Sequence, residues 1–149
     1  MKVVAAIDSF KGSVSSIQAG NAVKDAVLSV YPDAEVTVMP LADGGEGTVE
    51  ALYAGLGGEK VSIEVSGPLN SPVNAEYLIL SDGKTAVMEM SAAAGITLIN
   101  ENERNPLNTT TYGVGEMIKN AVGRGCRSFI VGIGGSATND GGVGMLTAL

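Results

Sequence analysis

The residues of this chain best suited to ligand chemistry lie in a glycine-rich segment, residues 132–142, that follows an apolar run. Its sequence, GIGGSATNDGG, holds five glycines in eleven residues. Glycine has no Cβ atom, so such a backbone can approach a ligand closely and adopt positive φ. Hydroxyl, amide and carboxylate groups lie between the glycines, on Ser136, Thr138, Asn139 and Asp140. A strand that ends in such a loop and continues as a helix predicts a site for an anion or a polyol.

Two more polar, glycine-containing loops follow apolar runs that are typical of strands. They are DSFKG at residues 8–12 and DGGEGT at residues 43–48. In parallel α/β sheets, ligands bind at the carboxyl ends of strands, where loops lead into helices. All three loops carry carboxylates, which repel an anionic ligand unless a lysine or a divalent cation balances them. Lys11 with Mg²⁺ held by one or two aspartates would give that balance, as phosphoryl transfer requires.

The first two loops also have a purely structural interpretation, whereas structure alone seldom needs the glycine pattern of residues 132–142. Asp and Gly dominate turns and helix caps, so the first two loops could be no more than these. The run Thr109–Thr111 precedes a helical pattern and is typical of an N-cap, which still allows a phosphate contact. Gly132, Gly134 and Ala137 also fit the dinucleotide fingerprint, although the acidic residue expected about 20 positions later lies beyond residue 149. The sequence has no Gly-x-x-x-x-Gly-Lys-Ser/Thr segment, which excludes a P-loop NTPase.

The composition of the chain excludes several classes of function. With 149 residues and 45% hydrophobic content, a packed core is expected and disorder is excluded. A net charge of −7 with nine Lys and Arg residues argues against nucleic-acid binding, because phosphate contacts need cations. The absence of histidine excludes His-based triads and His-ligated zinc. A single cysteine, Cys126, and the lack of a signal peptide or membrane-length apolar run indicate a cytoplasmic protein without membrane contact.

The hydrophobic pattern predicts the elements that position these loops. A strand–helix–strand–helix order over residues 1–58 is typical of a parallel sheet, with a capping box of Ser15 and Gln18 at the first helix. Alternating runs and a turn at Asp82–Gly83 then predict an antiparallel meander, followed by a polar loop at 100–108, a helix and a strand. Strands are expected at 2–7, 35–39, 60–65, 73–80, 85–90 and 128–131, and helices at about 17–30, 48–56, 91–95 and 111–122.

The predicted fold class is therefore α/β. A Rossmann- or flavodoxin-like parallel βαβα start is followed by an antiparallel β-meander and a further αβα unit. The change of pattern near Glu59 predicts a boundary between a first unit at 1–58 and a second unit at 59–149.

Four segments together resemble the bacterial type I glycerate kinase family, in that family's order. They are DSFKG at 8–12, ADGGEGT at 42–48, NTTTYGVG at 108–115 and GIGGSATNDGG at 132–142. The resemblance covers essentially the whole chain, and no segment departs from the pattern. Because family members are more than twice as long, it implies an N-terminal fragment of a two-domain kinase that is inactive by itself.

The resemblance implies ATP-dependent phosphorylation of D-glycerate, with Mg²⁺, giving 2-phosphoglycerate in most members of this type. The composition predicts no nucleic-acid or membrane partner, and a homodimer stays open. Two alternatives remain, a non-catalytic domain that binds a small acid or polyol and a dinucleotide-dependent oxidoreductase. Apolar residues around 145–149 are expected to favour self-association of the fragment.

The candidate site residues fall into groups by role. Asp8 or Asp43 acts as a base toward a glycerate hydroxyl or holds Mg²⁺, and Lys11 neutralises the phosphoryl group or the glycerate carboxylate. A helix N-terminus is expected to present backbone amides to an anionic group. The other candidates are Gly134, Gly135 and Ser136 for phosphate, Ser9, Gly44, Gly45, Glu46, Thr109, Thr110, Thr111, Asn139 and Asp140 for substrate, and Asp43 with Asp140 for Mg²⁺.

Overall fold

A computed structural model describes residues 1–10 and 13–149 of the chain. Lys11, a catalytic candidate, lies outside the described residues together with Gly12. None of the helices in the described part of the chain combines the length and apolar character needed to cross a bilayer.

The first part of the chain forms a parallel pair of strands with a helix packed on it. Its elements are β1 (Lys2–Ile7), α1 (Ser16–Val30), β2 (Glu35–Pro40) and α2 (Thr48–Leu56). β1 and β2 pair in parallel register, from Lys2 opposite Glu35 to Ile7 opposite Pro40, as the strand–helix–strand order predicts. α1 approaches β2 closely at Gly20, where a Cβ atom would overlap the Val38 side chain.

The start of α1 confirms the predicted capping box. Ser15 Oγ accepts a hydrogen bond from Gln18 N (3.2 Å), and Gln18 Oε1 accepts one from Ser15 N (3.0 Å). These two bonds pair backbone amides that a helix start otherwise leaves without partners. The helix ends at Val30, two residues before Pro32, as predicted.

The second part of the chain forms a mixed four-stranded sheet. Its strands are β3 (Glu59–Ser66), β4 (Pro72–Ile79), β5 (Thr85–Glu89) and β6 (Ser128–Gly132). β3 and β4, and β4 and β5, pair antiparallel, whereas β5 and β6 pair in parallel. This confirms the predicted meander and the helix–strand unit that follows it. The loop expected at 100–108 contains a 3₁₀ turn at Glu101–Glu103, preceded by another at Ile96–Leu98. The α-helices of this part are α3 (Ser91–Ala94), α4 (Tyr112–Gly123) and α5 (Val143–Ala148).

Both faces of this sheet are covered, because successive side chains of a strand point to opposite sides. On one face, Tyr77 and Met88 are fully buried in a cluster with Met117 of α4. On the other face, Leu78 and Val87 are fully buried against Val49 of α2. β4 and β5 therefore lie between two helices and form the centre of the core.

Helix α2 contacts β2 as well as β4 and β5. It therefore joins the parallel strand pair to the four-stranded sheet and fixes where the loop before it lies. The boundary expected near residue 59, immediately after this helix, stays a prediction.

Candidate functional site

A cavity of about 420 Å³ lies where several strands end, and we call it the acidic cavity. Ser9, which follows the end of β1, and Glu89, the last residue of β5, both line the cavity. Ligand sites of α/β proteins are expected at such carboxyl ends. The structure thus brings together parts of all three loops selected from the sequence. The other lining residues are Asp43, Gly45, Glu46, Asn74, Ser91, Ala92, Ile96, Thr97, Leu98, Gly134 and Gly135.

The loops after β2 and β6 touch each other through their backbones. Gly134 N donates a hydrogen bond to Gly44 O (2.9 Å). A Cβ atom on Gly134 would lie 2.7 Å from Gly45 Cα, so a larger residue would push the two loops apart. Gly44 has a φ of 91°, which favours glycine. Several of the glycines noted in the sequence thus serve the contact between the loops.

The structure corrects the location expected for Gly134, Gly135 and Ser136. Helix α5 begins at Val143, so these residues do not lie at a helix N-terminus. The Gly134 amide is already paired, and Ser136 Oγ lies 2.8 Å from Thr138 Oγ1 and accepts from Thr138 N (3.0 Å). The prediction that the amides of these residues lie at a helix N-terminus is therefore wrong. Phosphate binding by the same residues stays a prediction. The dinucleotide fingerprint fails for the same reason, because its glycines must open directly into a helix.

Asp43 and Glu46 present carboxylates at the acidic cavity, and both residues are exposed. Asp43 Oδ1 accepts a hydrogen bond from Gly45 N (3.2 Å), which shapes the turn that carries both residues. Asp8 Oδ1 accepts from Ser9 N (2.7 Å), and among the described residues of the 8–12 loop Ser9 lines the cavity. Ser9 and Glu46 also line an adjoining cavity of about 350 Å³ at the start of α1.

Glu89 is a candidate that the sequence analysis missed. Its Oε1 accepts a hydrogen bond from Val49 N (2.7 Å), and the amides of Gly47 and Thr48 also bond to its carboxylate. Burial raises the pKa of Glu89 above its ordinary value and the nearby Glu46 carboxylate adds to this, although the amide hydrogen bonds oppose both effects. The sequence feature that could have indicated Glu89 is a carboxylate directly after the apolar residues 86–88 of β5.

A separate cavity of about 400 Å³ lies on the other side of the 132–142 loop. Asn139 and Ser136 line it together with Thr111 and Asp140, so the structure separates these candidates from Asp43 and Glu46. Apolar side chains complete the wall, contributed by Met90, Val114, Val131, Ile133 and Met145.

Asp140 is held by four hydrogen-bond donors inside this second cavity. Oδ2 accepts from Thr111 N (2.8 Å), Thr111 Oγ1 (2.9 Å) and Gly144 N (3.1 Å), and Oδ1 accepts from Gly142 N (2.9 Å). Burial alone would raise the pKa of Asp140, but these hydrogen bonds outweigh it and hold the pKa below the ordinary range. The carboxylate is therefore charged and already paired within the protein.

The donor set does not fit a magnesium ion held between Asp43 and Asp140. These aspartates line different cavities, and both oxygens of Asp140 are used by backbone and hydroxyl donors. The described residues contain no group of three or more His, Cys, Asp or Glu side chains arranged to hold a metal ion. The expected pairing of these two aspartates on one ion therefore has no support in the geometry.

The threonines before α4 make internal hydrogen bonds. Thr109 is buried and its Oγ1 donates to Ala137 O (2.9 Å), whereas Thr110 Oγ1 accepts from Tyr112 N (3.1 Å). Thr111 Oγ1 also accepts from Met145 N (2.9 Å). These bonds join the segment to the 132–142 loop and to α5, and substrate binding by the three threonines stays a prediction.

The fold and the cavity define an α/β protein with a candidate ligand site at the carboxyl ends of strands from two sheets. The sequence profile of the glycerate kinase family matches residues 3–149, and the chain belongs to that family.

Several relatives are similar to the chain over its whole length. A glycerate kinase of Haemophilus influenzae is 50% identical over 149 residues, and a glycerate 2-kinase of Escherichia coli is 48% identical. Each match covers 100% of this chain and 39% of the relative, so the chain spans about two fifths of these curated relatives. A crystal structure described as a glycerate kinase 2 of Salmonella typhimurium LT2 aligns with a TM-score of 0.82 at 47% identity, covering 100% of this chain and 40% of that one.

Proposed function

We propose that this protein phosphorylates D-glycerate with ATP as the phosphoryl donor. The observation that carries the proposal is the acidic cavity, around which three of the four family-like segments meet. Relatives with this sequence pattern are named glycerate kinase, and one of them is named glycerate 2-kinase. We therefore take 2-phosphoglycerate as the expected product.

The carboxylates of the acidic cavity suit the hydroxyl end of a small sugar acid. Asp43 and Glu46 are acceptors on one short turn, so two adjacent hydroxyl groups can donate to them. A carboxylate within hydrogen-bond reach of the attacking hydroxyl can take its proton as phosphoryl transfer proceeds. We assign this role to Asp43, with Asp8 as the alternative in the neighbouring loop.

The negative charge of glycerate and ATP needs a cation that the described wall of the cavity does not supply. No Lys or Arg occurs among the described residues that line it. We propose that Lys11, which follows β1 by four positions in the sequence, provides this charge. When bound, Mg²⁺ would neutralise the transferring phosphoryl group, and it is usually held by one or two carboxylates together with the substrate phosphates.

Steady-state kinetics of the intact gene product with ATP and D-glycerate test this assignment. Asp43→Asn and Lys11→Ala should each lower kcat/KM by about 10²-fold or more, the usual contribution of a positioned proton acceptor or a charge partner. Asp25→Asn, which removes the same charge from an exposed position on α1, serves as the control and should keep wild-type kinetics. If Asp43→Asn and Lys11→Ala both stay within a few-fold of wild type, the assignment is wrong.

Residues 1–149 alone are expected not to turn over glycerate. The chain spans about two fifths of the length of the relatives that are named glycerate kinase as whole proteins. A coupled assay for ADP release from the purified 149-residue chain checks this, and sustained turnover would contradict it. Glycerate binding by the intact gene product without ATP turnover would instead support a binding domain that performs no chemistry.

A further inference from the structure

The start of helix α2 is capped by a residue from a distant strand. The residue before the helix is Gly47, with a φ of 96°, and no side chain of the preceding loop caps the helix. A helix start leaves backbone amides without partners inside the helix, and these need an acceptor from outside. Glu89, 40 residues further along the chain, supplies it by accepting from Val49 N at 2.7 Å.

The loop before α2 is the one that carries the acidic turn of the cavity. Inside it, Thr48 Oγ1 donates to Gly45 O (2.8 Å), and Gly45 N donates to Asp43 Oδ1 (3.2 Å). In the same loop, Gly44 O accepts a hydrogen bond from Gly134 N (2.9 Å), which belongs to the loop after β6. Hydrogen bonds thus link the loop before α2 to the loop after β6 through Gly44, and the start of α2 to Glu89 of β5.

We propose that Glu89 is a positioning residue, whose carboxylate fixes the start of α2 and thereby directs Asp43 and Glu46 into the acidic cavity. The inference rests on the proposed function only where it concerns the substrate. Because Glu89 Oε1 accepts from Val49 N and the amides of Gly47 and Thr48 also bond to the carboxylate, we assign Glu89 a role through the loop and not as the acceptor of the substrate proton.

Two variants of Glu89 distinguish the effect of losing the hydrogen-bond acceptor from the effect of losing the negative charge. Glu89→Ala removes the acceptor, and Glu89→Gln keeps one acceptor oxygen but removes the charge. Asp82→Ala is the matched control, because Asp82 also accepts backbone amides, from Lys84 N and Thr85 N (both 2.8 Å), but at the opposite end of β5. Each variant is made in the intact gene product.

Hydrogen exchange by mass spectrometry gives a readout that does not depend on activity. In Glu89→Ala, the amides of residues 47–49 should exchange at least about tenfold faster than in wild type, while those of β3 and β4 stay unchanged. Glu89→Gln should restore most of this protection, and Asp82→Ala should affect only its own turn. If Glu89→Ala exchanges at 47–49 within about threefold of wild type, the proposal is overturned.

Kinetics then show whether the loop position matters to the substrate. Glu89→Ala should lower kcat/KM for D-glycerate at least about tenfold with the KM for ATP nearly unchanged, and Glu89→Gln should recover part of the loss. Equal kinetic losses in Glu89→Ala and Asp82→Ala would indicate a merely structural role and refute the proposal. If the wild-type protein does not phosphorylate glycerate, the proposed function fails, while hydrogen exchange still decides the role of Glu89. If Glu89→Ala does not fold, Glu89→Asp, which is one methylene shorter, is measured in its place by the same criteria.

Discussion

The carboxylate of Asp140 joins the starts of two helices. It accepts hydrogen bonds from Thr111 N, directly before α4, and from Gly144 N in the first turn of α5. Helix starts carry partial positive charge, so an ionised carboxylate between two of them is doubly favoured. The residue expected to bind substrate or metal thus has a structural role that the sequence does not reveal, because its partner lies 29 positions away.

Asp140→Asn should destabilise the protein at neutral pH by about 1–3 kcal/mol, since amide donors lose a charged acceptor. The pKa of Asp140 is lower in the folded state than its ordinary value of 3.8, so its contribution is present above that value and is lost as the pH falls through the folded-state pKa. The difference between wild type and variant should therefore shrink between pH 7 and pH 3. Urea unfolding at both pH values measures it.

Asp25→Asn is the control for this experiment, because it removes one carboxylate charge from an exposed site. Its stability should stay close to wild type at both pH values. An Asp140→Asn protein with wild-type stability but without activity would contradict the structural role and support direct substrate contact.

At the scale of elements, glycines decide how closely α4 packs. A Cβ atom on Gly113 would overlap the backbone carbonyl of Ser66 at the end of β3. A Cβ atom on Gly115 would overlap the backbone of Met145 in α5. The helical period of this segment was visible in the sequence, but the need for glycine at these positions depends on which backbones lie opposite.

Gly113→Ala should lower the free energy of unfolding by about 1–3 kcal/mol or more, because a backbone carbonyl cannot move aside as a flexible side chain does. The matched control is Gly55→Ala in α2, where a Cβ atom would meet nothing within 4 Å. That variant should gain about 0.5–1 kcal/mol from reduced chain entropy. Denaturant unfolding of both variants checks the opposite signs, and equal effects would refute the close packing of α4.

At the scale of the whole molecule, the two sheets meet through α2 and through the backbone contact between Gly44 and Gly134. The acidic cavity lies at this junction.

Three apolar residues in and near α5 are largely exposed, Val143 by 63%, Leu146 by 65% and Ile133 by 76%. Large exposed apolar patches mark surfaces that associate with other protein surfaces.

We therefore expect the 149-residue chain to self-associate at high protein concentration. Leu146→Ser should weaken this association, because it removes apolar area from the exposed face of α5. Leu107→Ser is the control, since Leu107 is 87% exposed but lies in the loop before α4. Light scattering over a concentration series measures the effect, and a monodisperse monomer at every concentration would contradict the expectation.

The sequence by itself determined the order of elements, the capping box at Ser15 and the family of the chain. These depend on local periodicity, on turn chemistry and on short segments, all of which are read along the chain. It also predicted that residues of the 8–12, 43–48 and 132–142 loops meet at one edge, as Ser9, Asp43 and Gly134 do.

Only the tertiary structure decided which polar groups are already paired. The Gly134 amide is bonded to Gly44, the Asp140 carboxylate holds two helix starts, and Glu89 caps a helix 40 residues away. Such pairs join residues distant in sequence, and Asp and Gly are also common in turns and helix caps that bind no ligand. A hydrogen-bond partner is selected by three-dimensional proximity and by the cost of leaving a buried polar group unpaired, and neither can be read from spacing along the chain.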